Sequence, residues 1–197
     1  KKIKEKIDLH PLNVIDDSVD RINQLIENLL GFSRLSVEKS VRFDAEALIL
    51  SLIALERKNL EKAGITISTD FNWERGPIMK TNEDVLKLTL VNLINNSIDA
   101  LADSTKKEKK IEIKVQTAGD RLRIDFIDNG NGISKTNMEA VFNPFFTTKE
   151  TGTGLGLYIL DSEIRSIEGS ISVESTEGEG ASFHIVLPIE KDVEYES

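Results

Sequence analysis

The run Asp128-Asn129-Gly130-Asn131-Gly132 closes an apolar strand, and further along the chain stands Gly152-Thr153-Gly154-Leu155-Gly156-Leu157 at the mouth of a helix-like segment. An acid fixed beside two glycine clusters suggests a nucleotide held largely by backbone. The first cluster lets the chain pass close to a ring with no Cβ in the way. The second can aim the free amides of a first helical turn at phosphate. Asp128, carried by the strand Leu122-Ile124-Phe126, can accept a hydrogen bond from an exocyclic amine such as that of adenine. A simple Asp-Asn-Gly turn explains the same residues equally well. The second run has neither the Gly-Lys-Ser/Thr of a Walker A loop nor the spacing of a Rossmann fingerprint, and taken alone it also reads as a flexible loop before a helix. Phe142, Phe145 and Phe146, with Pro144, would form a hydrophobic clasp at the near end of a mobile lid. Lys149 and Thr153 fall within that lid, where either could reach a terminal phosphate or, for Lys149, simply be solvated.

Asn92, Asn96 and Asp99 are spaced 4 and 3 apart in a helical segment, so they share an arc of about 60°. Val85 and Leu88 continue that face toward the helix start, so polar groups stand where packing would favour apolar ones. Amide oxygens can complete the shell of Mg²⁺ while phosphates and water fill its other positions. A hydrogen-bonded asparagine pair or a solvated stripe is the alternative. With the glycine clusters, the chain reads as an ATP site.

Several elements must position these groups. Ile15, Val19, Ile22, Ile26 and Leu29 give one narrow apolar stripe, which predicts a long amphipathic helix suited to a partner helix. A second helix is predicted over 44–62, ending before Gly64, followed by a strand where Ile65 and Ile67 alternate with Thr66 and Ser68. A short strand around Ile78 leads into Thr81-Asn82-Glu83-Asp84, read as a capping box that opens a helix through Leu101. Alternation over 111–117 and 121–127 predicts a hairpin, and 170–175 with 181–187 a second. The order predicts an α/β (α+β) two-layer sandwich, a mixed sheet with helices over one face.

The 197 residues suffice for one sizeable core plus an accessory element. A net charge of -9 argues against a nucleic-acid partner. Lys106, Lys107, Lys109 and Lys110 are interrupted by Glu108 and read as a solvated loop. The absence of cysteine excludes disulfides, thiolate metal sites and a cysteine nucleophile. Apolar stretches are too short to span a bilayer. His184 lies among apolar strand residues and reads as structural, and His10 as a capping or exposed residue. Because the chain starts at Lys1, it is expected to be part of a longer one, with upstream membrane segments allowed.

In this order the motifs resemble the catalytic ATP-binding domain of sensor histidine kinases, in the superfamily that also holds DNA gyrase B, Hsp90 and MutL. Asn92-Leu93-Ile94-Asn95-Asn96-Ser97-Ile98-Asp99-Ala100 resembles the asparagine box and Asp128 to Gly132 the first glycine box. Phe142-Asn143-Pro144-Phe145-Phe146-Thr147-Thr148-Lys149 resembles the phenylalanine box and residues 152–157 the second glycine box. The close from Gly178 to Pro188 is also similar. The resemblance implies a Bergerat-type ATP-binding fold over 40–189, a partial dimerisation domain over 1–39 represented by its second helix, and an acidic tail over 190–197. It implies ATP and Mg²⁺ as cofactors, with Asn96 on the metal, Asn92 near the phosphates and Asp128 on the adenine amine. Ser182 falls about where the family often has a threonine near the base. Further contacts would come from Asp99, Gly130, Gly132, Ile133, Phe142, Lys149, Gly152, Thr153, Gly154, Leu155, Gly156 and Leu157, with Asn92, Asn96 and Lys149 catalytic. Asp99 departs from the basic or aromatic residue common at its place and resembles the hydrolysing relatives and the nitrogen-regulatory branch.

In the gyrase, Hsp90 and MutL relatives a glutamate stands one turn before the magnesium asparagine and activates water; here that residue is Asn92, an amide, which cannot serve as a general base. The resemblance therefore implies transfer of the γ-phosphoryl group to a histidine, for relay to a response-regulator aspartate. His10-Pro11-Leu12-Asn13 does not fit the family's acceptor pattern, so the acceptor is expected on a first dimerisation helix outside this chain. Expected partners are the dimerisation helices of its own kinase, as a homodimer, and a receiver domain. The expected location is cytoplasmic, with membrane anchoring of the whole protein left open. The alternatives are an ATP-hydrolysing relative, an anti-sigma serine kinase and a non-catalytic nucleotide-binding adaptor.

Overall fold

The computed structural model of the chain describes residues 40–73, 76–102, 104–149 and 152–189. The expected amphipathic helix, His10 and the acidic tail lie outside them. The elements are β1 (Val41–Asp44), α1 (Ala45–Ala63), β2 (Ile65–Asn72), β3 (Ile78–Thr81), α2 (Glu83–Ala102), β4 (Lys109–Ala118), β5 (Arg121–Asp128), α3 (Lys135–Met138), α4 (Gly156–Ser166), β6 (Ser170–Thr176) and β7 (Gly180–Pro188). Five strands form one sheet in the order β2-β4-β5-β7-β6, with β2 parallel to β4 and the other neighbours antiparallel. The expected two-layer architecture is therefore present, with helices gathered over one face.

That face is set by strand alternation. Ile111, Ile113 and Val115 of β4, Leu122, Ile124 and Phe126 of β5, and Phe183, Ile185 and Leu187 of β7 are buried, in one core with Ile49 of α1, Leu86, Leu90, Leu93 and Ile94 of α2, and Leu160 and Ile164 of α4. The intervening strand residues point the other way. On that face, which no described helix covers, Lys114 pairs with Glu112 at 3.2 Å, Arg123 with Asp125 at 3.0 Å, and His184 Nδ1 approaches Asp125 Oδ1 at 2.6 Å. Although burial opposes it, the His184 and Arg123 contacts hold the Asp125 carboxyl below its ordinary range. His184 thus joins a polar network on the open sheet face.

Two features differ from the sequence reading. Residues 41–44 form β1, which pairs antiparallel with β3 as a separate two-stranded sheet; four residues are too few for a period, and their partner lies far along the chain. The turn α3 also had no periodic signal. At the start of α2 the cap is Asn82, whose Oδ1 accepts from Asp84 N at 3.0 Å, so the helix begins one residue later than a box led by Thr81 would set it.

The start of α1 is fixed by Asp44, extended at φ -80° and ψ 118°, whose side chain accepts from Ala47 N at 3.0 Å. Asp44→Ala is expected to lower stability by about 1 kcal/mol, read from the midpoint of urea unfolding. An unchanged midpoint would mean water replaces the cap at no cost.

Candidate active site

The site is built between α2, the end of β5, and the loop that leads into α4. Asn92 and Asn96 are half-buried at the border between the packed face of α2 and solvent, and Asn96 Nδ2 donates to Asn92 Oδ1 at 3.2 Å. The buried face of α2 centres on a neighbouring stripe, through Leu86, Leu90, Leu93, Ile94, Ser97 and Leu101, while Val85 is a buried residue on the asparagines' own face, toward the helix start. The two asparagines therefore line a rim, where their second lone pairs and amide protons can serve a ligand.

The lid segment closes on this rim. Lys149 Nζ donates to Asn96 Oδ1 at 3.2 Å and to Asp99 Oδ2 at 2.5 Å, with Lys149 and Asp99 both substantially exposed. An ammonium on the Asn96 amide oxygen marks that atom as a cation acceptor. Among the described residues there is no cluster of three or more His, Cys, Asp or Glu side chains able to hold a metal, so a cation here would take its remaining ligands from phosphates and water, which suits Mg²⁺. At the start of α4 the backbone of Gly156 runs so close to Asn92 that an added Cβ would lie 2.9 Å from its Oδ1. Gly154 is left-handed at φ +67°, and a Cβ there would meet the Phe145 carbonyl carbon at 2.3 Å, so only glycine lets the lid fold back at that point. Leu155 is buried and Leu157 packs on the core, and together they anchor α4. Gly152 lies against Thr147, and Thr153 Oγ1 accepts from Leu155 N at 3.4 Å.

The aromatic clasp is only partly realised. Phe142 packs against the core, but Phe145 is 73% exposed and sits at φ +67°. The turn that carries it, closed by Phe146 N donating to Asn143 O at 3.2 Å, directs its side chain outward.

Asp128 lies at the inner end of the site, 5% exposed. Its Oδ1 accepts from Gly130 N at 2.8 Å and its Oδ2 from Ser97 Oγ at 3.0 Å. Burial raises its pKa above the ordinary 3.8, against the opposing effects of the Gly130 and Ala181 N–H groups, the Ser97 hydroxyl and the charge of Lys106. Lys106 itself donates to Glu179 O at 2.9 Å, so the lysine loop is fastened to the β6–β7 turn beside this carboxylate. Asn129 fixes the loop from the other side, accepting from Lys110 N at 2.7 Å and donating to Glu108 O at 2.8 Å. Gly132 backs onto the Thr176 carbonyl, and Ile133 N donates to Ser175 Oγ at 2.8 Å.

Ser182 is misplaced by the sequence reading. In the β5–β7 ladder Asp128 faces Ala181, whereas Ser182 is paired with Ile127. Alternation turns Ser182 to the open face of the sheet, so it does not join Asp128. Ser97 is the residue that sequence reasoning passed over, and its signal was available as a hydroxyl on the buried helix face between Leu93 and Leu101.

Residues 81–191 match the model of the histidine kinase-, DNA gyrase B- and HSP90-like ATPase family. The signal transduction histidine-protein kinase AtoS of Escherichia coli K12 is 33% identical over 181 residues, covering 90% of this chain and 29% of AtoS. The sensor histidine kinase ZraS of Klebsiella oxytoca is 30% identical, over 89% of this chain and 37% of its own length. The chain thus spans about a third of the curated relatives it matches. Among solved structures, the nucleotide-free catalytic domain of histidine kinase ThkA superposes with a TM-score of 0.67 at 28% identity, over 77% of this chain and 96% of that domain. By its matching motifs, its fold and these relatives, the chain belongs to the histidine kinase-, DNA gyrase B- and HSP90-like ATPase family and carries the catalytic ATP-binding domain of a sensor histidine kinase.

Proposed function

We propose that this chain binds Mg-ATP and transfers its γ-phosphoryl group to a histidine on a dimerisation helix of the kinase to which it belongs, for relay to a receiver-domain aspartate. The observation that carries the reading is Asn92. It stands one turn before Asn96, hydrogen-bonded to it and backed by Gly156, where a hydrolase needs a carboxylate to deprotonate water. An amide cannot do this, and the nearby carboxylate, Asp99, is neutralised by Lys149.

In this mechanism Asp128 accepts from the adenine amine at the buried end, Asn96 offers an oxygen to the magnesium ion, and Asn92 and the amides from 152 to 157 hold the phosphates. Magnesium, when bound, supplies neutralisation of charge on the β- and γ-phosphates. Lys149, held by Asp99 beside Asn96, presents its ammonium to the terminal phosphate. Positioning and electrostatics then do most of the catalysis, as phosphoryl transfer allows. We assign residues 40–189 to the catalytic domain and 1–39 to part of the dimerisation domain. No helix among the described residues is long and apolar enough to cross a membrane, and use of ATP fits a cytoplasmic site of action.

The test mixes this chain and γ-labelled ATP with a dimerisation fragment bearing an intact acceptor histidine. The expected result is label on that histidine with little free phosphate. Free phosphate without transfer would instead establish a hydrolase, and nucleotide binding with neither product an adaptor.

A further inference from the structure

Asp128 is held at both oxygens by donors from its own loop and from α2, with the Ala181 N–H of β7 adding to them. Its own loop supplies the Gly130 N–H to Oδ1, and α2 supplies the Ser97 hydroxyl to Oδ2. A carboxylate fixed at one oxygen can still turn about its Cβ–Cγ bond; fixed at both, it presents one lone-pair direction to the site.

The choice made by Ser97 is informative because α2 contains a second buried hydroxyl for comparison. Thr89, 1% exposed, turns its Oγ1 back to the Val85 carbonyl of its own helix at 2.7 Å, a local bond that satisfies the hydroxyl and does nothing else. Ser97 is equally buried, between fully buried Leu93, Ile94 and Leu101, yet it reaches across to β5. The strand facing Asp128 contributes Ala181, which brings a backbone N–H and no side-chain donor. Ser97 is thus the side-chain hydroxyl that orients this acid.

We propose that Ser97 is a positioning residue for base selection, aiming the Asp128 carboxylate so that it accepts from the amine of adenine and rejects a base with a carbonyl oxygen at that position. This rests on the reading that Asp128 meets the base. Ser97 does not touch the nucleotide; it acts through Asp128. A carboxylate locked as an acceptor meets a 6-carbonyl with lone pair against lone pair, whereas a carboxylate free to turn away loses both the attraction to ATP and the repulsion of its analogue.

The experiment is calorimetric titration of the whole chain with magnesium ATP and magnesium inosine triphosphate, for the unaltered protein, Ser97→Ala, Asp128→Asn and the double variant. The unaltered chain should prefer ATP, and Ser97→Ala should narrow that preference about tenfold, mainly by weakening ATP, the scale of one hydrogen bond to a charged group. In the Asp128→Asn background the serine change should have no further effect on the preference, because the two act as one unit. If Ser97→Ala does not fold, Ser97→Cys, of similar size with a weak donor, must narrow the preference instead. Unchanged preference in a folded Ser97 variant overturns the role of Ser97 alone. A loss additive with Asp128→Asn does the same. No preference for ATP in the unaltered chain overturns the assignment of Asp128 to the base, and this inference with it.

Discussion

Asp128→Asn is expected to weaken ATP binding about 10- to 100-fold, the scale of a lost hydrogen bond to a buried charged acceptor, while leaving the melting temperature level or higher. The two effects oppose each other because burial has raised the carboxyl pKa. For an acid whose folded-state pKa lies above its ordinary 3.8, the native state binds the proton more tightly than the unfolded chain. Its contribution to stability is therefore full below the ordinary value and lost as pH rises through the raised one. Once pH has passed the raised value the fold bears the cost of an ionised buried group, and a neutral amide removes it. Asparagine can keep the Gly130 N–H on its oxygen, and the Ser97 hydroxyl can reverse to accept from the new amide. ATP affinity of the unaltered chain should also decline on acidification, beginning above pH 3.8, since the ionised form is the stronger acceptor for the amine and the protonated form loses that charge assistance; Lys106 is the charged side chain whose field holds that limb down. Calorimetry across pH with a thermal melt of the same samples reads both effects. Full ATP affinity in the asparagine variant, or weakening only in parallel with unfolding, would remove Asp128 from the base site.

Much of this arrangement was legible in the chain, for identifiable reasons. Helices α1 and α2 were bounded to within a residue or two because Asp44, Gly64 and Asn82 mark their ends chemically. The two hairpins follow from alternation on either side of the turn residues Ala118-Gly119-Asp120 and Glu177-Gly178-Glu179-Gly180. The asparagine spacing placed Asn92 and Asn96 on one face correctly, since a helix converts spacing into direction without help from the rest of the fold. What alternation could not give was which strand residue lies beside a partner in another strand. The family resemblance implies Ser182 near the base from its position along the chain, but register pairs Asp128 with Ala181, and a shift of one residue changes the face of the sheet. The same limit hid β1, whose four residues acquire meaning only against β3. Residue type alone assigns Phe145 to a clasp, whereas its outward direction comes from a left-handed backbone that a hydrophobicity pattern does not encode. The bond from Ser97 joins residues far apart in sequence and needs both α2 and β5 in place before it can be seen.

The phosphate end should fail differently from the base end. Asn96→Ala is expected to lower the rate of phosphoryl transfer to a supplied acceptor histidine by about 10²-fold or more, the scale for removing one preorganised electrostatic contact to a developing charge. Affinity for ADP in the absence of magnesium should change little. The reason for the split is geometric. Asn96 sits on the solvent border of α2, bonded to Asn92 and Lys149, whereas Asp128 is buried at the end of β5, bonded to Ser97 and Gly130; the two groups have no partner in common. Losing the amide oxygen leaves Lys149 still paired with Asp99, so the lid keeps its anchor and the loss falls on the cation. The concentration of magnesium required for half-maximal transfer should rise in the variant, a shift that a merely structural asparagine would not produce. If transfer falls but the magnesium requirement does not move, Asn96 supports the helix rim and the cation is held elsewhere. If transfer is unaffected, the phosphates do not approach this face of α2, and the division of labour between its asparagines and Asp128 is wrong.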